Sequence, residues 1–203
     1  MAIVSLTKNG YGQVEPNHLA AQRTGQIYAQ LGVGSTALAT ASNIIQNGMV
    51  MDYDYAGGSI TSPAVGGSAL TMLVMNEVRI YADFLTPKDY AMVASGTSNI
   101  NIGLAPEAVT TTGGTTTTTT TVYPRMYKIQ VGDIITTNLV CSDGTGSYAD
   151  YSVGDQLIPH PHGGGTLYLS TSTTATVAFK VVSKNTTPDL QNALKLQCVK
   201  ANA

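Results

Sequence analysis

The chain has 203 residues, enough for one domain or two small ones with a real core, and only 11% of them are charged, against about 25% in ordinary soluble domains. Net charge is −2 and no run of Lys or Arg occurs, so the clustered cations that nucleic acid or an anionic membrane surface demands are missing. No stretch approaches the roughly 18 apolar residues of a membrane span; Ala69 to Met75 (ALTMLVM) is far too short.

Thr, Ser, Gly, Asn and Gln take the place of charge. Such a surface suits a protein docked in an assembly better than one that must stay soluble alone. The start, MAIVSLTKNGYGQ, lacks the long apolar core of a secretory signal, so synthesis in a cytoplasm is expected.

Residues 1–17 show no period and read as an extended N-terminal arm, with Lys8-Asn9-Gly10 as a turn. Ile3, Val4 and Leu6 are more apolar than a solvated tail needs, which makes them candidate partner contacts. The alternative for the arm is an edge strand of the protein's own sheet. A short helical turn is predicted near Pro16 to Gln22, then a half-buried strand with Ile27, Ala29 and Leu31 on its inner face. A helix from His18 to Leu31 competes, but Gly25 costs it about 1 kcal/mol relative to Ala.

Residues 32–42 read as a small-residue linker. Asn47-Gly48 suits a type I′ hairpin turn. In the strand that follows, Met49, Met51, Tyr53 and Tyr55 alternate with Val50, Asp52 and Asp54, and Gly57-Gly58 ends it. Tyr53 and Tyr55 are candidate contact residues, because tyrosine offers an apolar ring with a polar tip. Asp52 and Asp54 share a face; paired carboxylates can hold Ca²⁺ or move protons, but a solvent-facing strand surface is the expectation. Ser68 to Leu85 is the most strand-like run, and Thr86-Pro87 opens a predicted helical turn.

Thr110 to Thr121 (TTTGGTTTTTTT) reads as a protruding β-loop turning at Gly113-Gly114, because Thr favours extended backbone. Thr115 and Thr117 are its candidate contacts. IQVGDIITTN and YSVGDQLIPH then share one grammar, apolar-Gly-Asp-x-apolar, and IIQNGMVMDY is a looser third version. Strands follow at TLYLS, TATVAFKVV and ALKLQCV, the last with Leu194, Leu196 and Cys198 on one face. The fold class is therefore mainly β: a short-stranded β-barrel or sandwich spanning 18–203, with the arm and the Thr-rich insertion at 110–121. Two small β subdomains, 18–109 and 122–203, are the alternative.

Chemistry is sparse. His160 and His162 would point the same way in an extended chain, but no local Cys, Asp or Glu completes a metal set, so PHPH reads as a loop. Cys141 and Cys198 read as buried thiols, with a disulfide left open. No nucleophile elbow, phosphate loop, dinucleotide fingerprint or zinc-protease motif occurs, and no catalysis or cofactor is expected.

NGYGQVEPNHLAAQRTGQIYAQL, NGMVMDYDYA, LVMNEVRIY and YPRMYKIQVGDIITTN together resemble small head proteins of tailed bacteriophages, which are proposed to decorate or cement the capsid. The likeness runs from Asn9 to about Asn138; the Thr run and HPHGGG lie outside it. It implies a β-rich structural virion protein on the outer capsid surface, bound to the major capsid protein and self-associating as a trimer or other oligomer, without nucleic acid, membrane or enzymatic activity. A head-fibre base or tail component that binds a receptor or glycan is the rival reading.

Overall fold

The computed structural model describes residues 3–6, 12–34, 37, 45–64, 69–76, 91–92, 108–110, 117–119, 123–143, 147–160, 165–187 and 190–201. In chain order they form β1 (Ile3–Ser5), β2 (Gln13–His18), helix α1 (Ala20–Thr24), β3 (Ile27–Tyr28), β4 (Gly32–Val33), β5 (Val50–Asp54), β6 (Ser59–Thr61), β7 (Leu70–Val74) and β8 (Ala91–Met92). Then come β9 (Ala108–Thr110), β10 (Thr117–Thr119), β11 (Met126–Lys128), β12 (Ile134–Thr137), β13 (Val140–Asp143), a 3-10 turn (Tyr148–Asp150), β14 (Gln156–Pro159), β15 (Leu167–Leu169), β16 (Ala178–Thr186) and β17 (Asn192–Lys200).

Two mixed sheets carry most of the structure. The larger has the order β1-β13-β15-β14-β16-β17-β12-β2-β8, with β13 and β15 parallel. The smaller has the order β3-β11-β7-β5-β6-β4, with β4 and β6 parallel. Mainly β holds, but the barrel does not: among the described residues neither sheet closes on itself.

The large sheet is nonetheless coiled. β12 sits seventh and β13 second, yet only Asn138 and Leu139 separate them. Three Cα steps reach at most about 11 Å, whereas five places across a flat sheet span about 24 Å. The sheet must therefore curl until those places meet. Both halves of the N-terminal stretch lie along this bent segment. β1 pairs with β13, Leu6 donates to Val140 O at 3.1 Å, and β2 pairs with β12. Residues 3–5 thus form an edge strand of the protein's own sheet, and β2 lies inside it, between β12 and β8.

The two sheets share the main core. Val50, Leu73 and Tyr127 of the small sheet pack in one cluster with Val14, Ile135, Leu157, Phe179, Leu194 and Leu196 of the large one. Each such aliphatic or aromatic side chain contributes about 1.5–3 kcal/mol when fully buried. The opposite face of the small sheet is buried too: Met51, Tyr53, Met72, Val74 and Met126 pack with Val33, Ile45, Ile60 and Leu139. Cys141 and Cys198 are buried thiols. Burial raises the Cys198 thiol to about 12; a hydrogen bond with the Lys200 backbone opposes this and the neighbouring Asp133 adds to it.

The recurring Gly-Asp grammar corresponds to one repeated geometry. Gly132 (φ 97°) and Gly154 (φ 96°) sit third in turns closed by Asp133 N–H to Gln130 O and Asp155 N–H to Ser152 O, both 3.1 Å. In each, the Asp carboxylate also accepts the N–H of the first turn residue, at 2.8 and 2.7 Å. The turn then exchanges two hydrogen bonds with one residue of the next strand, Cys198 or Val181. Gln46 to Met49 repeats this with Val74, and Met49 Sδ replaces the carboxylate, accepting from Gln46 N–H at 3.3 Å. Only Gly48 (φ 93°) has positive φ there, so the turn follows the type II pattern rather than the expected I′.

Helix α1 falls later than the predicted Pro16 to Gln22, because β2 extends to His18. Asp133 Oδ1 accepts the Ala20 N–H at 2.8 Å, supplying the cap that Leu19 cannot. The face of β3 is the reverse of the expected one: Ile27 is exposed and Tyr28 packs on the second cluster. β9 and β10 pair with Thr110 opposite Thr117, a register centred on Gly113-Gly114. The β16–β17 loop is fixed by Leu190 N–H to Thr187 O (2.9 Å) and Thr187 N–H to Gln191 O (2.7 Å), yet Leu190 has φ 64° and is 81% exposed. Leu194, Leu196 and Cys198 are buried, as expected. The turns at Lys8-Asn9-Gly10 and Thr86-Pro87 lie outside the described residues.

Candidate functional site

The β5–β6 hairpin carries a cleft of about 460 Å³ lined by Asp52, Tyr53, Asp54, Tyr55, Thr61 and Leu70, among others. Its construction follows from the alternation of β5. Tyr53 points to the second core cluster, and its hydroxyl accepts the N–H groups of Gln30 and Leu31, both at 3.1 Å. Tyr55, just past the strand, is 57% exposed and stands edge-on to Tyr53 (centroids 4.9 Å) and to Tyr28 (6.5 Å). Such edge-to-face packing fixes the ring with one side to solvent.

Asp54 organises the turn. Its Oδ1 accepts the N–H groups of Ala56 and Gly57, both at 3.0 Å. A Cβ on Gly57 would meet Asp54 Oδ2, so a larger residue there would have to shift that carboxylate. Asp52 corrects the expectation of a solvent-facing surface: it is 3% exposed. The period-2 rule assumes one wet face, and the small sheet is covered on both. Asp52 Oδ1 accepts the Thr71 hydroxyl at 2.6 Å, Oδ2 accepts Ala64 N–H at 3.0 Å, and Thr71 Oγ1 lies 3.3 Å from Thr176 Oγ1. Burial pushes this carboxyl above the usual range, against those hydrogen bonds, and Asp54 pushes it further. The cleft thus offers the Asp54 carboxylate and an aromatic face, and among the described residues none that lines it is cationic.

The other sequence candidates are scattered. Ile3 and Val4 lie in edge strand β1, and Leu6 is buried in the main core. Thr117 lies in β10 opposite Thr110, and Thr115 is outside the described residues. His160 is buried against Tyr168 (centroids 4.5 Å), and His162 lies outside the described residues. Among the described residues no three His, Cys, Asp or Glu side chains converge as a metal site, and no helix is long and apolar enough to cross a membrane. Sequence reading missed the outward lysines of β16 and β17, whose grouping depends on strand pairing between residues more than ten apart. Comparison with protein-family models, curated proteins and solved structures finds no match to this chain.

Proposed function

We propose that this chain is a structural virion protein that binds the outer surface of a tailed-phage capsid and stabilises or decorates it, without catalysis. Its partners in this reading are the major capsid protein and further copies of itself, not nucleic acid or membrane.

The observation that carries the reading is β1. It ends the large sheet, so one row of its backbone N–H and C=O groups has no strand beside it among the described residues. Proteins that live alone guard such edges with Lys, Pro or a bulge. Ile-Val-Ser has no Lys, Pro or bulge, its ladder runs in register, and only its three-residue length limits pairing. An apolar edge of this kind suits addition to a neighbour's sheet, where main-chain hydrogen bonds give affinity. Repetition over a shell turns a modest contact into a large total. The low charge of the whole chain fits a surface covered in its working state.

The test compares particles with and without the protein. Particles lacking it should lose thermal and osmotic stability and regain both when purified protein is added back. Unchanged stability together with no uptake of added protein would rule the reading out.

A further inference from the structure

The cleft beside β5 combines one open carboxylate oxygen with a fixed aromatic ring. Tyr55 stands edge-on to Tyr53 and to Tyr28, and those two rings lie 5.8 Å apart, so the three form a closed set. The exposed Tyr55 ring is therefore positioned before any ligand arrives, which lowers the ordering cost of binding. Asp54 lines the same cleft. Its Oδ1 accepts both turn N–H groups, whereas Oδ2 accepts no hydrogen bond among the described residues. Gly57 carries no Cβ that would cover Oδ2. Ala56, Ala64, Ala69 and Leu70 complete the lining with mostly apolar surface.

What the cleft lacks narrows the ligand. The N–H groups of Ala56 and Gly57 are spent on Asp54, and that of Ala64 on Asp52. With those donors used and no cation among the described lining residues, an anion finds no counter-charge. Asp52 is buried and both its oxygens are taken by Thr71 and Ala64, so it presents nothing to a ligand. Asp54 Oδ2 is the one carboxylate oxygen left. A primary ammonium brings three N–H donors that need acceptors, and a single open oxygen serves them poorly. A quaternary ammonium has no N–H to satisfy, and sheds its water at lower cost than the strongly hydrated primary ammonium.

We propose that this cleft binds a quaternary ammonium group, with Asp54 Oδ2 opposing its charge and the Tyr55 ring face meeting its methyl groups. The ring quadrupole attracts a cation, and a carboxylate beside it adds to that attraction. The volume of about 460 Å³ lies within the usual range of small-ligand pockets. The site goes beyond capsid binding, because it concerns a small ligand and the purified chain alone. Free cations such as choline and the headgroup of phosphatidylcholine carry the same group.

Nuclear magnetic resonance titration of the full chain with choline tests it. The Tyr55 ring and Gly57 amide signals should shift and saturate, with Kd on the order of 1 mM, and binding should weaken as salt rises. Asp54→Asn keeps an oxygen for the turn hydrogen bonds but removes the charge, and Tyr55→Ala removes the ring; each should weaken binding at least about threefold. Tyr55→Phe keeps the ring and should bind within about twofold of wild type. Dimethylbutanol, the neutral carbon isostere of choline, should bind wild type at least about threefold more weakly. Circular dichroism checks the fold of each variant, and the isostere comparison needs none of them. Co-sedimentation with phosphatidylcholine vesicles separates the sources: capture assigns the lipid headgroup, and no capture assigns a free cation. The proposal is overturned by no saturable shift with choline, by dimethylbutanol or methyl glucoside binding as tightly, or by a folded Asp54→Asn or Tyr55→Ala variant that binds like wild type.

Discussion

Replacing Leu190 by glycine should stabilise the protein relative to alanine at the same position. Leu190 is the one described non-glycine residue with positive φ, at 64°. The left-handed conformation costs an L-residue about 1–2 kcal/mol through the contact of Cβ with the following carbonyl. Alanine keeps that strain; glycine removes it but gains about 0.4–1 kcal/mol of unfolded-state entropy. The difference leaves Leu190→Gly ahead of Leu190→Ala by about 1 kcal/mol. With 81% of the side chain exposed, either change forfeits only a fifth or so of the ~2 kcal/mol that full burial of leucine supplies. In a chain of this size, 1 kcal/mol moves the melting temperature by about 2–4 °C. Calorimetry of the two variants reads this directly. If Leu190→Ala melts at or above Leu190→Gly, the loop does not hold the strained geometry described.

Three further outcomes are expected. Because burial raises Asp52 above its unfolded value, the folded state holds that proton more tightly. The associated stability is complete below the ordinary value of 3.8 and is lost as pH rises through the raised one. Thermal melts of wild type and Asp52→Asn should therefore diverge in favour of wild type as pH falls from neutral toward that value; a constant difference would contradict the buried carboxylate. Gly165→Ala should cost about 3 kcal/mol or more in chemical denaturation, because a Cβ there meets Val50 O at 2.8 Å with φ at +88°. Gly132→Ala, with nothing within 4 Å, should cost only the ~1–2 kcal/mol of its φ. Asp133→Ala should destabilise by about 1–2 kcal/mol more than Asp155→Ala, since Asp133 also caps α1 and is 1% exposed; equal losses in urea melts would remove the capping role.

What could be read from the sequence was local. The Gly-Asp turns, the Thr hairpin register and the inner face of β17 depend on residues a few places apart, where φ preferences and alternation act directly. Asp52 was misread because alternation cannot tell a wet second face from a covered one, and Tyr28 because a two-residue strand has no period to measure. The curl of the large sheet was out of reach: it follows from where Asn138 and Leu139 carry the chain, and neither residue type announces a change of sheet position. The cleft was half legible, since Tyr55 was singled out but its acidic wall was assigned to solvent.

The bent segment 134–143 also sets an order of events at the ribosome. Gln13 N–H is held by Asn138 Oδ1, a bond that closes 125 residues of chain. At about 5–20 residues per second, Gln13 waits roughly 6–25 s after its own synthesis before Asn138 exists. Throughout that interval the Ile3 to Ser5 segment lacks its β13 partner. Another nascent copy on the same message offers the identical strand, so translation density should govern how much of this protein folds alone and how much is captured by its neighbours.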